Sequence, residues 1–245
     1  MTDTGRKPDS DIDNTPEDMI RRTQAALEKI RRDRHCLIVA VTGSIACGKT
    51  TVSEILEDLG APLIDLDRIA REVVMPGTPG YDRIISAFGA GVVQPDGALD
   101  RKVLSGIVFA DETKRRRLER ITHPLIFDRF VEKLTELAAA RPDSVIQAGV
   151  PLLIEMNIQH LFDRVIVVYL PKEIQLRRLA ARDGISADKA AAIVASQLSA
   201  DEKKPYAHYV IDNSRDHSHT REQVNRVWRR LQQDKNQPHP DNTPE

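Results

Sequence analysis

LIVAVTGSIACGKTTVSEIL, residues 37–56, decides how the rest of the chain is read. Its first part is a continuous apolar run, Leu37-Ile38-Val39-Ala40-Val41, without polar alternation. That composition predicts a strand buried on both faces, as in a parallel sheet. Its last part places Val52, Ile55 and Leu56, and then Leu59, at the spacing of one helix face, and Gly60 is a suitable stop. Between them stands Gly43-Ser44-Ile45-Ala46-Cys47-Gly48-Lys49-Thr50, which fits G-x-x-x-x-G-K-[ST]. Strand, glycine loop and helix in that order predict a phosphate-binding loop. Gly43 and Gly48 let the backbone turn and approach an anion closely. Ser44, Ile45, Ala46 and Cys47, with Thr51 behind them, contribute backbone N–H groups, so small side chains are tolerable there. Lys49 is expected to reach the β- and γ-phosphates and the Thr50 hydroxyl to ligate Mg²⁺. A thiol in a ring of N–H donors is a candidate for a lowered pKa, so Cys47 is expected either to react or to serve as a small spacer.

The 245 residues suit one domain, or one core with a substantial insertion. With 36 basic and 37 acidic side chains the formal net charge is -1, which offers no global attraction for nucleic acid or a membrane surface. Two cysteines, Cys36 and Cys47, make neither a disulfide framework nor a zinc site. The polar, acidic start lacks a signal-peptide core, and no apolar run reaches the ~18 residues of a spanning helix. A cytoplasmic location is expected.

Residues 1–14 read as a polar tail. Thr15-Pro16-Glu17-Asp18 has the cap and N1 proline of a helix start, and the helix should run to about Arg32 as a solvated extension with a thin apolar face. Further strands are expected at 62–67, 144–153, 164–170 and 209–211. Residues 68–141 read as almost all helical, with turns at Pro76-Gly77, at Gln94-Pro95-Asp96-Gly97 and at His123-Pro124. Such a block is too long for a simple crossover and should form a subdomain beside the sheet. Helices follow at 172–182 and 186–198, and Thr220 with Gln223 reads as the capping box of a last helix. Residues 13–17 recur as 241–245, a coincidence of two polar tails.

Asn-Lys-x-Asp, the guanine signature, is absent, and the strands ending Gln147-Ala148-Gly149-Val150 and Val167-Val168-Tyr169-Leu170 carry no acid for a metal. The acids lie at the second strand, Asp65 and Asp67, where i, i+2 spacing would turn both carboxylates to one side. A carboxylate at a strand end opens onto the ligand crevice and can take the proton of an attacking hydroxyl; either one could also cap the next helix. Arg178 and Arg182, i and i+4 on one predicted helix, could close over a transferring phosphoryl group and exclude water. Lys114-Arg115-Arg116-Arg117 reads as a solvated helix face.

Taken with Ile64-Asp65-Leu66-Asp67-Arg68-Ile69-Ala70-Arg71, Val150-Pro151-Leu152-Leu153-Ile154-Glu155, Pro76-Gly77-Thr78, Asp96-Gly97-Ala98-Leu99-Asp100-Arg101, His123-Pro124-Leu125-Ile126 and Val210-Ile211-Asp212-Asn213, the chain resembles the dephospho-CoA kinases over residues 37–231. The resemblance implies an α/β fold: a P-loop kinase core, its parallel sheet flanked by helices, with a helical substrate (CoA) subdomain and a helical lid. It implies a kinase domain at 36–232; the extension at 1–35, expected to be partly disordered, lies outside the resemblance, and 233–245 is expected to be a disordered tail. Within the domain the core is 36–70, 142–174 and 205–232, the acceptor subdomain 71–141 and the lid 175–204. The implied reaction is phosphorylation of the 3′-hydroxyl of the dephospho-CoA ribose by ATP with Mg²⁺. Asp67 becomes the favoured base, Asp65 a positioning or Mg²⁺-binding neighbour, and Arg71, His123 and Glu155 shape the acceptor site. Relatives often carry a more glycine-rich loop than Gly43–Gly48, and an acid where Gly149 stands.

Overall fold

The protein is described by a computed structural model over residues 15–235. Residues 1–14, and the expected tail from 236 onward, lie outside the described residues. Five parallel strands form one sheet: β1 (Leu37–Thr42), β2 (Leu63–Asp65), β3 (Val145–Gly149), β4 (Arg164–Tyr169) and β5 (Tyr209–Asp212), in the order β2-β3-β1-β4-β5. β1 is central, pairing with β3 through Leu37–Val145 to Val41–Gly149 and with β4 through Val39–Arg164 to Thr42–Val167. All six of its residues are buried, as the unbroken apolar run requires.

The strand period of two sends alternate β1 side chains to opposite layers. Ile38 and Ala40 join a cluster with Ile64, Phe127, Phe130, Leu134 and Phe162. Leu37, Val39 and Val41 join one with Val52, Ile55, Leu56, Val224 and Leu231. The first layer holds α1 (Pro16–Arg34), α3 (Leu66–Glu72) and the C-terminal half of α6 (Glu112–Ala140); the second holds α2 (Lys49–Asp58) and α10 (His217–Asp234). Gln147, fully buried on β3, donates from Nε2 to the carbonyls of Ser53 (2.9 Å) and Ala61 (3.0 Å), which ties the middle of α2 and the chain just past its end to the sheet.

Three sequence expectations change. α1 is not a solvated extension. Met19, Thr23, Leu27 and Ile30 are buried in the first layer, and Arg31 Nε sits 2.6 Å from Asp163 Oδ1. Asp163 also accepts from Ile38 N–H at 2.7 Å, so one carboxylate fastens α1 to the central strand. The stripe looked thin because Thr23 interrupts it. That hydroxyl donates to Met19 O at 2.9 Å inside the helix, which removes the cost of burying it. His123-Pro124 makes no turn. Both residues lie inside the 29-residue α6, where Pro124 is buried. Thr220 and Gln223 form no capping box. Asp216 caps α10, while the Gln223 amide meets Asp212 N–H (2.9 Å) and Asp212 O (2.7 Å).

α4 (Pro79–Phe88) and α5 (Arg101–Ala110) build a separate apolar cluster beside the sheet from Val74, Ile84, Val92, Leu99 and Leu104. Lys114, Arg115, Arg116 and Arg117 are exposed on α6, and Arg115 and Arg116 pair with Glu112 on the same helix. No helix among the described residues is long and apolar enough to cross a membrane.

Leu27 is completely buried where α1 meets α6. Leu27→Ala should lower the free energy of unfolding by about 2–5 kcal/mol in one cooperative urea transition. A loss below about 1 kcal/mol would show that α1 is not part of the folded unit.

Candidate functional site: the loop after β1 and its surroundings

The backbone leaves β1 at Thr42 and turns immediately. Gly43 has φ +152°, and a Cβ there would lie 2.6 Å from Val168 O and 2.7 Å from Cys47 Sγ. Gly48, at φ +88°, caps α2, and a Cβ there would overlap the Asn213 amide. Side chains are therefore excluded at both glycines by what packs on them as well as by backbone angle. Ala46 also has a positive φ, +58°, which costs an L-residue about 1–2 kcal/mol relative to glycine. Its methyl joins an apolar cluster with Ile45, Leu176, Leu179, Ala190 and Val194, contacts that offset the strain. The first turn of α2, Lys49, Thr50 and Thr51, leaves its N–H groups without intrahelical acceptors, as every helix start does. Together with the positive end of the helix dipole these form an anion-binding cradle. Lys49 Nζ lies across the loop, 3.0 Å from Gly43 O.

The loop is held from outside. Asn213, just past β5, donates from Nδ2 to Cys47 O at 2.8 Å, and its Oδ1 accepts from the Thr220 hydroxyl at 2.8 Å. Gln175, in the first turn of α7 (Lys172–Asp183), donates to Ile45 O at 2.8 Å. Ile45 N–H donates to Gln197 Oε1 at 3.0 Å, and the Ser44 hydroxyl to Leu198 O at 3.0 Å. Gln197 and Leu198 follow α8 (Ala187–Ala195), so the α7–α8 hairpin touches the loop at both ends. Sequence reasoning treated Ile45 as a backbone contributor. Its side chain in fact packs into that hairpin, a contact between distant segments that no local pattern announces.

Cys47 is 1% exposed. Burial pushes its thiol up from the ordinary value, and Lys49 opposes this only in part. The expectation of a lowered pKa is therefore overturned: loss of water around the sulfur outweighs the nearby positive groups.

Asp65 and Asp67 also differ from the i, i+2 strand pattern. β2 ends at Asp65, whose carboxylate caps α3 by accepting from Asp67 N–H at 2.9 Å. Asp67 lies in the first turn of α3. It opens to solvent, yet the surrounding protein displaces enough water to raise its carboxyl above the ordinary aspartate value. The Asp65 charge adds to that rise, while Lys49 and Arg71 oppose it. The strand end therefore sets out one carboxylate as a cap and another, with a raised pKa, within electrostatic reach of the loop lysine.

The other expected residues divide. Arg178 stands beside the loop, donating to Asn213 O at 3.1 Å, with a guanidinium nitrogen near the Gly48 position. Arg182 does not join it: its side chain is 57% exposed and lies 2.7 Å from Asp183. His123 lines a cavity of about 320 Å³ with Pro16, Met19, Arg116 and Glu119, between α1 and α6, where burial lowers its pKa. The Glu155 carboxylate is engaged by Lys203 Nζ at 2.9 Å and by Leu198 N–H at 3.1 Å. Lys203 was not singled out from sequence. Only its complete burial distinguishes it from other lysines. Among the described residues no three His, Cys, Asp or Glu side chains gather as a metal centre.

Because Cys36 and Cys47 are both buried, neither thiol of the native protein should react with a bulky aromatic disulfide at the rate of free cysteine near neutral pH. Both should react in urea. Rapid native labelling at Cys47 would contradict the raised pKa.

A family profile described as dephospho-CoA kinase matches residues 37–219. A dephospho-CoA kinase from Geobacter sulfurreducens is 46% identical over 192 residues, covering 78% of this chain and 96% of that protein. One from Syntrophus aciditrophicus is 38% identical over 195 residues, covering 80% and 83%. Among solved structures, a dephospho-CoA kinase from Campylobacter jejuni superposes with a TM-score of 0.61 at 31% identity, covering 81% of this chain and 98% of that one. A protein from Thermus thermophilus superposes with a TM-score of 0.71 at 28% identity, covering 80% and 97%. With a family profile matching residues 37–219, which include the loop, and relatives 38–46% identical over about four fifths of the chain, the chain belongs to the dephospho-CoA kinase family.

Proposed function

We propose that the chain transfers the γ-phosphoryl group of ATP to the 3′-hydroxyl of the dephospho-CoA ribose, giving CoA and ADP, the final step of coenzyme A biosynthesis. Family membership supplies the reaction. The observation that carries the chemical assignment is the placement of Asp67 in the first turn of α3, just past the end of β2 and fixed by the Asp65 cap, where its carboxyl, raised in pKa, feels the charge of Lys49.

The phosphates of ATP bind the N–H groups of the loop and the first turn of α2, residues 43–51. Lys49 leaves the Gly43 carbonyl for the β- and γ-phosphates. Asp67 accepts the proton of the ribose hydroxyl as it attacks in line, and a carboxyl pKa closer to neutrality makes it a stronger base for that step. Asp65 holds the start of α3, and thereby Asp67, through its cap. Arg71, one turn on from Asp67, favours the ionised form of that carboxyl. Thr50 and Asp65 would hold Mg²⁺, which neutralises phosphate charge when bound. Arg178 is in place to meet charge developing on the transferred group. Arg182 would join it only after leaving Asp183, so closure of the α7–α8 hairpin, the proposed lid, is part of the cycle. The cluster of α4 and α5 serves as the body of the acceptor subdomain. His123, between α1 and α6, is assigned no contact with the acceptor.

Purified protein with Mg-ATP should form CoA from dephospho-CoA far faster than it phosphorylates adenosine or AMP or hydrolyses ATP. Equal turnover of a rival acceptor would remove the assignment. Asp67→Asn should retain ATP affinity within about twofold and lose about 10²-fold or more in kcat. Retained kcat would exclude Asp67 as the base.

The pH dependence follows from the same group. The acid limb of kcat should lie above the ordinary aspartate value near 4. A folded-state pKa above the unfolded one means that stability is fully present below the unfolded value. It is lost as pH rises through the folded value, because ionised Asp67 is less well solvated in the native protein. The Asp67→Asn protein should lack that fall when unfolding is measured from pH 4 to 7.

A further inference from the structure

Lys203 is 0% exposed, and its ammonium group contacts two oxygens: Glu155 Oε1 at 2.9 Å and Pro151 O at 3.2 Å. The pair is buried at its lysine end only, the Glu155 side chain being 21% exposed; an ammonium removed from water needs such a partner, and what the pair holds in place is a reason to retain it. The pair is aimed by local structure. Ser199 and Glu202 form a capping box at the start of the short helix α9 (Ala200–Lys203), which places Lys203 one turn from Ser199 and directs it inward. Glu155, in the turn after β3, uses the same Oε1 to accept from Leu198 N–H at 3.1 Å. Leu198 then offers its own carbonyl to the Ser44 hydroxyl, and its neighbour Gln197 accepts from Ile45 N–H. The chain of contacts runs without a gap from Lys203 through Glu155 and the Leu198 peptide to the Ser44-Ile45 turn of the phosphate loop.

That turn is held from several sides: Gln175 donates to the Ile45 carbonyl, the Ile45 and Ala46 side chains pack against α7 and α8, and the Ile45 N–H has Gln197 as its acceptor. The following residue, Ala46, sits at φ +58°, a conformation that persists only when its surroundings enforce it. Release of Leu198 would free the Ser44 and Ile45 contacts together and let Ala46 relax toward an ordinary backbone angle. The loop N–H groups would then no longer converge.

We propose that Lys203 is a positioning residue for ATP binding: through Glu155 and the Leu198 peptide it latches the Ser44–Ala46 turn in its anion-receiving shape. Glu155 serves this latch rather than the acceptor. The proposal rests on the reading of the loop as the ATP site. The latch also joins the α7–α8 hairpin to the loop, so nucleotide occupancy and hairpin position are coupled through these contacts.

The test measures ATP affinity without acceptor, by calorimetric titration with Mg-ATP, and separately the KM for each substrate and kcat. The proteins are the parent, Lys203→Met, Glu155→Gln, the double variant and Gln197→Ala, with a thermal melt for each. Lys203→Met and Glu155→Gln should each weaken ATP binding by about tenfold or more, while the KM for dephospho-CoA stays within about twofold. The double variant should bind ATP no more weakly than the worse single, because it leaves no unpaired buried charge. Gln197→Ala removes an acceptor near the surface without disturbing a buried charge. It should weaken ATP binding at an unchanged melting temperature, so it reports on the latch even if Lys203→Met unfolds. Parent-like ATP affinity in Gln197→Ala and in every folded variant of the pair would overturn the latch. So would a Glu155→Gln protein whose sole defect is a raised KM for dephospho-CoA. A parent that binds no ATP would instead refute the reading of the loop, which separates the two failures.

Discussion

Everything in this structure depends on one backbone constraint: the turn from β1 into α2 must point its N–H groups inward while its residues hold angles they would not choose alone. Gly43 accommodates Val168 O and the Cys47 sulfur at distances no Cβ would permit, and Gly48 leaves room for Asn213. Ala46 holds a positive φ without being glycine. A loop of this kind does not hold itself. The surrounding fold supplies Asn213 from the end of β5, Gln175 from α7, and Gln197 and Leu198 from beyond α8. The central position of β1 is what brings those distant segments to the same place.

The same arrangement explains why several residues perform structural and chemical work at once. Asp65 ends a strand, caps a helix and, by its charge, raises the pKa of Asp67. Asn213 secures the loop through its side chain and receives Arg178 on its carbonyl. A carboxylate partly stripped of water is less stable as an anion, and that deficit is also what makes it useful to a hydroxyl that must lose a proton. Arg178 at the loop and Arg182 in its pairing with Asp183 belong to one helix but face different surroundings.

The N-terminal helix shows a different kind of dependence. It lies outside residues 37–219, the part matched by the family profile, yet it completes the first core layer and is fastened by Arg31 to Asp163, the carboxylate that also accepts from β1. It closes one side of the cavity that contains His123. An extension that supplies four buried residues to a shared core is a structural part of the kinase domain rather than an appendage.

Sequence alone determined the strand–loop–helix at 37–56, the parallel α/β architecture and the family, because these rest on short-range period, spacing and motif order. It also singled out Asp65, Asp67, Lys49 and Arg178, which the structure places at the end of β2, in the first turns of α3 and α2, and beside Asn213. It did not reveal that Asp67 belongs to a helix, since a three-residue strand followed at once by a capped helix gives no period to read. The burial of α1 and of the Cys47 thiol, the continuous α6 through Pro124 and the Lys203–Glu155 ion pair were decided by tertiary structure. Each depends on which distant surface removes water from a side chain or satisfies its hydrogen bonds, and desolvation is a property of the packed neighbours rather than of the residue itself.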